Sequence, residues 1–402
     1  MPSFSTLAFS FALLAYQCQA ARPFLNEPDT GITTFLGTDT PAEASGALMP
    51  LDDIIAIPDF EFAARAYMSS ANYSYYRTGA AGEFSMPAFT ILIPFIVGYK
   101  ILIGFQAYRS NLETYNKVKL RPRVLRDITG VPYTLNTTIL GYNFSAPFFI
   151  SPAAKAGKAN AVAEPSLFAT LSINEIAAAK AAGQVTFQQI YVRSKLSSVQ
   201  TDFDEAEAAG SKAIVWSVDN AWGPTRSRSA RWTHSENDYD YLPSTWELYE
   251  TLKNMTSLPI IPKGIQTVED ALLAVEHGAP AIFISNHGGR QLDTSQSTME
   301  IIMEIYNNAP QVFNQTEVLA DCGVRYGTDV LKLLAMGVKA VGMGRPFMYS
   351  NIYGADGVAR LIDMMKDEII ADAGNLGIAN VSEISPAALN LNALQPLIYT
   401  MS

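Results

Sequence analysis

The chain has 402 residues, 49% of them hydrophobic and only 16% charged, a composition that supports a large buried core and excludes disorder, collagen and coiled coil. Against 38 Asp and Glu stand 28 Lys and Arg, and the resulting net charge of −10 excludes a broad basic face for nucleic acid or anionic lipid. Any anion site therefore has to be built locally.

In chain order, residues 1–20 carry no charged side chain and end in Cys18-Gln19-Ala20, the pattern of a secretory signal peptide cleaved before Ala21. An ordinary buried N-terminal helix is the alternative reading. Cleavage would leave Cys322 as the one thiol, so no internal disulfide framework is expected. Asn-x-Ser/Thr tripeptides at Asn72, Asn136, Asn143, Asn254, Asn314 and Asn380 fit a secreted, glycosylated protein. Residues 21–50 read as an N-terminal extension and 51–402 as the functional domain. Within it, 86–106 form an apolar stretch broken by Pro94, Gly98 and Lys100, a marginal membrane span at most.

From about residue 147 short aliphatic runs alternate with helix-like stretches. The runs are Phe148–Ile150, Val185–Tyr191, Ala213–Val218, Leu258–Ile261, Ala281–Ile284, Val318–Ala320 and Val338–Met343. Between two of them Val268, Ala271, Leu272 and Val275 share one helix face, with Gly278 placed for a C-terminal cap. Strands alternating with helices imply a parallel sheet, with functional residues just after the strands, as in a barrel. A closed barrel of this kind needs eight strands, and seven runs are present.

The densest chemistry is Ser285-Asn286-His287-Gly288-Gly289-Arg290-Gln291-Leu292-Asp293, directly after the run 281–284. Of the three histidines, His287 alone ends a strand; His277 closes a helix and reads as structural, and His234 lies in a polar loop. The adjoining glycines fit either a plain turn or a close approach of a ligand to the backbone.

These residues resemble the signature of the FMN-dependent 2-hydroxy acid oxidases and dehydrogenases. The similarity runs from about Leu51 to Asp367 through Tyr75-Tyr76-Arg77-Thr78-Gly79-Ala80, Arg121–Asp127, Gln189-Ile190-Tyr191, Ser217-Val218-Asp219, Pro262-Lys263-Gly264, Asp321-Cys322-Gly323-Val324-Arg325 and Gly342-Met343-Gly344-Arg345-Pro346. The resemblance implies a (β/α)8 TIM barrel holding one FMN at its C-terminal mouth and oxidising a small L-2-hydroxy acid. It makes His287 the base, held by Asp219, and assigns the substrate carboxylate to Arg290 and Arg226 and the substrate oxygens to Tyr75 and Tyr191. It assigns Lys263 to the negative charge of the reduced ring, and Asp321–Arg325 (Asp321, Gly323 and Arg325 among them) with Gly344 and Arg345 to the phosphate. Ser217, Gln189, Ser285 and Pro152, Ala153 and Ala154 complete the expected cofactor contacts.

Two departures from the family pattern stand out. Cys322 replaces a glycine, tolerable if only backbone matters there. After Ala163-Glu164-Pro165 about 15–20 residues are absent, close to one strand with part of a helix, so strand 2 is expected to be missing or truncated and Ser172 is not matched to the hydroxyl that the family carries there. An error of splicing or gene modelling would account for this gap and for 86–106 together. No cytochrome-like segment is read before residue 50, so oxygen, yielding peroxide, is the expected acceptor. An inactive FMN-binding barrel and a membrane-tethered dehydrogenase remain the alternatives, and self-association stays open.

Overall fold

The computed structural model describes residues 48–80, 107–153, 171–224, 226, 229–230 and 241–401. Residues 1–20, most of 21–50, 86–106, His234 and Ala154, for which the sequence carries expectations, lie outside the described residues. Residues 42–83 and 104–402 form one compact unit, to which everything below belongs.

Helices α1 (Asp59–Tyr67), α2 (Ser70–Arg77) and α3 (Ala107–Lys117) lead to an antiparallel hairpin, β1 (Thr137–Ile139) and β2 (Tyr142–Phe144). Then strand and helix alternate: β3 (Phe148–Ile150), α4 (Ile173–Ala178), β4 (Gln188–Ile190), α5 (Leu196–Ala208), β5 (Ile214–Ser217), α6 (Trp246–Lys253), β6 (Ile260–Ile265), α7 (Val268–Glu276) and β7 (Ala281–Ile284). Helices α8 (Thr298–Asn308) and α9 (Val312–Gln315) precede β8 (Glu317–Ala320), and α10 (Gly327–Ala335), β9 (Ala340–Met343), α11 (Arg345–Ser350) and α12 (Gly354–Leu376) complete the series. Every apolar run of the sequence is a strand.

The strands form one parallel sheet in the order β3-β9-β8-β7-β6-β5-β4. This is the order of a (β/α)8 barrel in which β3 is the first strand and β4 the third. Among the described residues no strand lies between β3 and β4, where the second would stand, and the expected loss of strand 2 falls on 154–170, outside the described residues.

Parallel strands are covered on both faces, so their outer residues pack on helices and their inner ones on each other. Ile214, Trp216, Ile260, Ile282, Ile284, Val318 and Val341 belong to the outer core. Val215, Ile261, Phe283, Leu319 and Ala340 belong to a separate inner cluster, with Phe149 and Phe187 packed against it. The β1–β2 hairpin joins that inner cluster through Ile139, Leu140 and Phe144, and so plugs the end of the barrel where the strands begin. Two bonds fix it there: Thr137 Oγ1 donates to the Lys339 carbonyl at 3.0 Å and the Leu140 amide to Glu317 Oε2 at 2.8 Å.

Helix α7 starts at Thr267, whose hydroxyl accepts from the Asp270 amide, and buries Val268, Ala271 and Ala274. Leu272 and Val275, expected on the same face, lie at its half-buried margin. Among the described residues no helix is long and apolar enough to cross a membrane.

Candidate active site

A strand turns successive side chains to opposite faces, so residues two apart share one face. Two positions beyond the inner apolar residues Phe187, Val215, Ile261, Phe283 and Leu319 come Gln189, Ser217, Lys263, Ser285 and Asp321. The barrel interior is thus apolar where the strands begin and polar where they end, and the polar layer is the one the sequence singles out. Gln189 Nε2 donates to Ser217 Oγ at 3.0 Å and Lys263 Nζ to Ser285 Oγ at 3.0 Å. Lys263 Nζ stands 3.8 Å from Asp321 Oδ2, with both side chains under 10% exposed. Burial would lower the Lys263 pKa, but the Asp321 and Asp219 carboxylates outweigh it and hold the ammonium above the ordinary lysine value.

Lys263 lies inside β6 rather than at its end, because the strand continues through Pro262 and Gly264 to Ile265 with a register shift at Gly264. Gly264 has φ +111°, and a Cβ there would come within 2.5 Å of the Asp219 Cβ. Gly264→Ala is therefore expected to push Asp219 off His287, with loss of turnover and a lowered Tm in thermal unfolding; wild-type values for both would contradict this placement.

Asp219 and His287 form the centre of the site. His287 Nδ1 meets Asp219 Oδ1 at 2.9 Å; the Asp219 side chain is fully buried and that of His287 is 16% exposed. The other ring nitrogen, Nε2, faces the Tyr191 hydroxyl at 3.5 Å. His287 has φ +59°, a left-handed conformation that costs a non-glycine residue about 1–2 kcal/mol, and Gly288 and Gly289 continue it at +69° and +70°. The His287 amide donates to Ser285 Oγ at 3.0 Å and helps to hold the turn. Burial raises the Asp219 carboxyl pKa, yet the His287 charge and hydrogen bond, with Lys263, bring it below the ordinary value. Burial also lowers His287; Asp219 draws it partly back, and Lys263 and Arg226 push it down again. The resting pair is a carboxylate and a neutral imidazole, with Nε2 free to take a proton once Nδ1 donates to Asp219.

Arg290 lies 5.2 Å from the Tyr75 ring centroid and donates to the Tyr75 carbonyl at 3.4 Å. Among the described residues its buried Nε has no hydrogen-bond partner, and neither does Asp219 Oδ2. Arg226 donates to the Arg290 carbonyl at 3.3 Å and to Gln291 Oε1 at 2.6 Å, which keeps a second cation beside the first. Pro152 and Ala153 follow β3 and are half-buried.

The last two strands end in the glycine-containing turns that the sequence assigns to the phosphate, though the Asp321 carboxylate itself faces Lys263 and Ser151. Gly323, at φ +81°, lies so close to the Asn111 carbonyl that a Cβ would not fit. Gly344 caps α11. Arg325 is buried, and its second terminal nitrogen has no partner among the described residues. Arg345 donates to the carbonyls of Tyr76 at 2.7 Å, Thr78 at 2.9 Å and Gly288 at 3.0 Å, so it ties the end of α2 to the histidine turn. Burial lowers its pKa; Tyr108 and Tyr349 draw it partly back, and the charges of Arg290 and Arg325 push it down again. Buried cations that repel one another, one with an unmatched N–H, suit a phosphate. The amide, hydroxyl and ammonium donors of Gln189, Ser217 and Lys263 suit the polar edge of a flavin ring. FMN fits the residues present.

Several contacts are invisible to motif reading. Ser151 Oγ donates to Asp321 Oδ2 at 3.0 Å, and Asn111 and Asn286 exchange amide bonds at 2.7 and 2.8 Å behind the histidine turn. Cys322 does more than tolerate a glycine's place: its thiol donates to Asp321 Oδ1 at 2.8 Å and accepts from the Gly288 amide at 3.0 Å. Burial pushes that thiol up to about 12, so it stays protonated. His277 is structural, stacked on Trp246 and 2.8 Å from Glu250. Ser172 caps α4.

The model of the FMN-dependent dehydrogenase family matches residues 105–240 and 233–391. The chain belongs to the FMN-dependent dehydrogenase family. Within that family it is 31% identical to L-lactate dehydrogenase (cytochrome) of Saccharomyces cerevisiae over 87% of this chain, and it spans 62% of that protein's length. It is 32% identical to a peroxisomal (S)-2-hydroxyacid oxidase of Arabidopsis thaliana over 83% of this chain and 96% of the oxidase. The flavin-binding domain of baker's yeast flavocytochrome b2 superposes with a TM-score of 0.77 at 30% identity, over 89% of this chain and 92% of that one. The FMN-dependent dehydrogenase match thus agrees with the barrel, the strand order and the cofactor that the donor set fits.

Proposed function

We propose that this chain is an FMN-dependent oxidoreductase acting on CH–OH, which oxidises a small L-2-hydroxy acid to the 2-oxo acid. The observation that carries the reading is the buried Asp219–His287 pair facing Tyr191 beside Arg290, whose Nε has no partner among the described residues. FMN, when bound, supplies the two-electron acceptor. The protein's own residues do the rest. Arg290 takes the substrate carboxylate in a planar fork, with Arg226 as the adjacent cation, which fixes the carbon bearing the hydroxyl near His287. His287 Nε2 takes up a proton, and Asp219 holds the imidazolium that forms. Tyr191 and Tyr75 bring phenol groups to the substrate oxygens.

The test is the visible spectrum of purified protein before and after anaerobic addition of L-lactate or glycolate. Bleaching of bound flavin supports the reading, and protein that takes up no FMN refutes it. A flavin-loaded protein that does not bleach would instead favour a binding barrel without turnover, the reading that the shortened sequence after Pro165 supports. Arg290→Lys is expected to lower kcat/KM by about 10–100-fold, mostly through KM, because one ammonium replaces two charge-assisted bonds. Steady-state kinetics check this.

Oxygen is the proposed acceptor, supported by the oxidases among the relatives; peroxide formed per substrate consumed measures it. Turnover that needs added detergent and a lipid-soluble acceptor would point to the membrane-tethered alternative. The leader-like residues 1–20 and the six Asn-x-Ser/Thr tripeptides support secretion. Recovery from the medium of a chain beginning at Ala21 checks it.

A further inference from the structure

Four of the six Asn-x-Ser/Thr tripeptides, scattered in sequence, gather at one end of the barrel. Asn136, Asn143, Asn254 and Asn314 are exposed, while Asn72 and Asn380 are half-buried. All four exposed asparagines lie where the barrel strands begin. Asn136 precedes β1 and Asn143 lies in β2, the hairpin that plugs this end through Ile139 and is tied to Lys339 and Glu317, residues at the starts of β9 and β8. Asn254 caps the end of α6, six residues before β6. Asn314 lies in α9, three residues before β8, and its tripeptide threonine, Thr316, donates to the Ala279 carbonyl just before β7.

The two half-buried ones differ in setting as well as exposure. Asn72 belongs to α2, whose end is bound at the opposite, catalytic mouth: Thr78 accepts from Arg345 and the Ala80 amide donates to the Gly289 carbonyl. The Asn380 amide is engaged on both sides, with Oδ1 accepting from the Ser382 amide and hydroxyl at 3.0 and 2.7 Å and Nδ2 donating to Glu383 at 3.0 Å.

We propose that the protein carries N-linked oligosaccharides on Asn136, Asn143, Asn254 and Asn314, and that they coat the plugged end of the barrel and leave the catalytic mouth bare. The inference rests on the secretory reading, not on the catalytic one. In each transfer the side-chain Nδ2 forms a bond to the anomeric carbon of a lipid-diphosphate-linked oligosaccharide, the anomeric carbon–oxygen bond breaks, the lipid diphosphate leaves and one amide proton is released. No electrons change hands. The amide keeps one N–H, so the bond of Asn254 Nδ2 to the Glu250 carbonyl at 3.0 Å survives modification. Bulky solvated glycans on this face prevent a second protein from covering the hairpin plug, and substrate still enters at the other end.

The experiment expresses the full chain in a eukaryotic secretory host, in parallel with residues 21–402 behind an unrelated leader. Digestion by a peptide N-glycosidase in heavy-oxygen water converts each occupied asparagine to labelled aspartate, which peptide mass spectrometry locates. The expected result is label on the four and none on Asn72 or Asn380, with turnover unchanged by the digestion. Label on Asn72 or Asn380, or its absence from any of the four behind the unrelated leader, overturns the proposal. If that arm shows the four labels while the native chain stays unglycosylated inside the cell, the secretory reading falls and the assignment of the face stands.

Discussion

His287→Ala is expected to lower kcat by about 10²–10⁴-fold while FMN stays bound, because general base catalysis is lost and no other described histidine lies at a strand end. The readouts are single-turnover bleaching and the flavin spectrum. Retained turnover would move the base elsewhere. The pH dependence carries a second arm with a definite sign. Since burial lowers the His287 pKa below the ordinary histidine value, kcat/KM should stay level on descending through pH 6.5 and fall only below it, as the imidazole charges. Asp219 pulls that pKa up, so Asp219→Asn should shift the acid limb to still lower pH while slowing turnover. A shift toward higher pH would show that the carboxylate does not act on His287.

Much of this site was legible because a parallel sheet writes its strands as apolar runs. Each of the seven runs became a strand, and the turn after β7 became the centre of the site. The deletion expected after Pro165 falls in a segment, 154–170, that lies outside the described residues. What stayed hidden depends on contacts between residues far apart in sequence. Lys263 reads as the end of its strand because the apolar run stops at Ile261, yet the strand continues through Gly264 to Ile265, and the shift at Gly264 lets Asp219 approach. Arg345 reads as a phosphate ligand from its glycine-rich neighbourhood. Its three bonds to carbonyls at 76, 78 and 288 join segments more than 200 residues apart, which no motif encodes. Cys322 reads as a harmless replacement because its thiol's partners, Asp321 and Gly288, come together only in the folded barrel.

Lys263→Met is the variant in which stability and catalysis should separate. In the wild type the ammonium is buried against Asp321 and Ser285. Removing it leaves Asp321 as a buried carboxylate supported only by the Ser151 hydroxyl and the Cys322 thiol. Breaking a buried pair from one side costs about 3–5 kcal/mol, so the unfolding free energy of the apoprotein in urea should fall by that order. The same ammonium is placed in the polar layer to meet charge developing on a bound ring, and losing such a contact typically lowers kcat by about 10²–10³-fold. Adding Asp321→Asn removes the stranded carboxylate, so the double variant should regain most of the stability and none of the rate. Because the Lys263 pKa is raised, the pair's contribution is complete below the ordinary lysine value and is lost only as pH rises through the higher folded-state value. Neutral-pH unfolding is therefore the right comparison. If the single variant proves as stable as wild type, the Lys263–Asp321 pair is not what holds the polar layer together; if the double variant recovers turnover, the ammonium serves the carboxylate alone and plays no part in the chemistry.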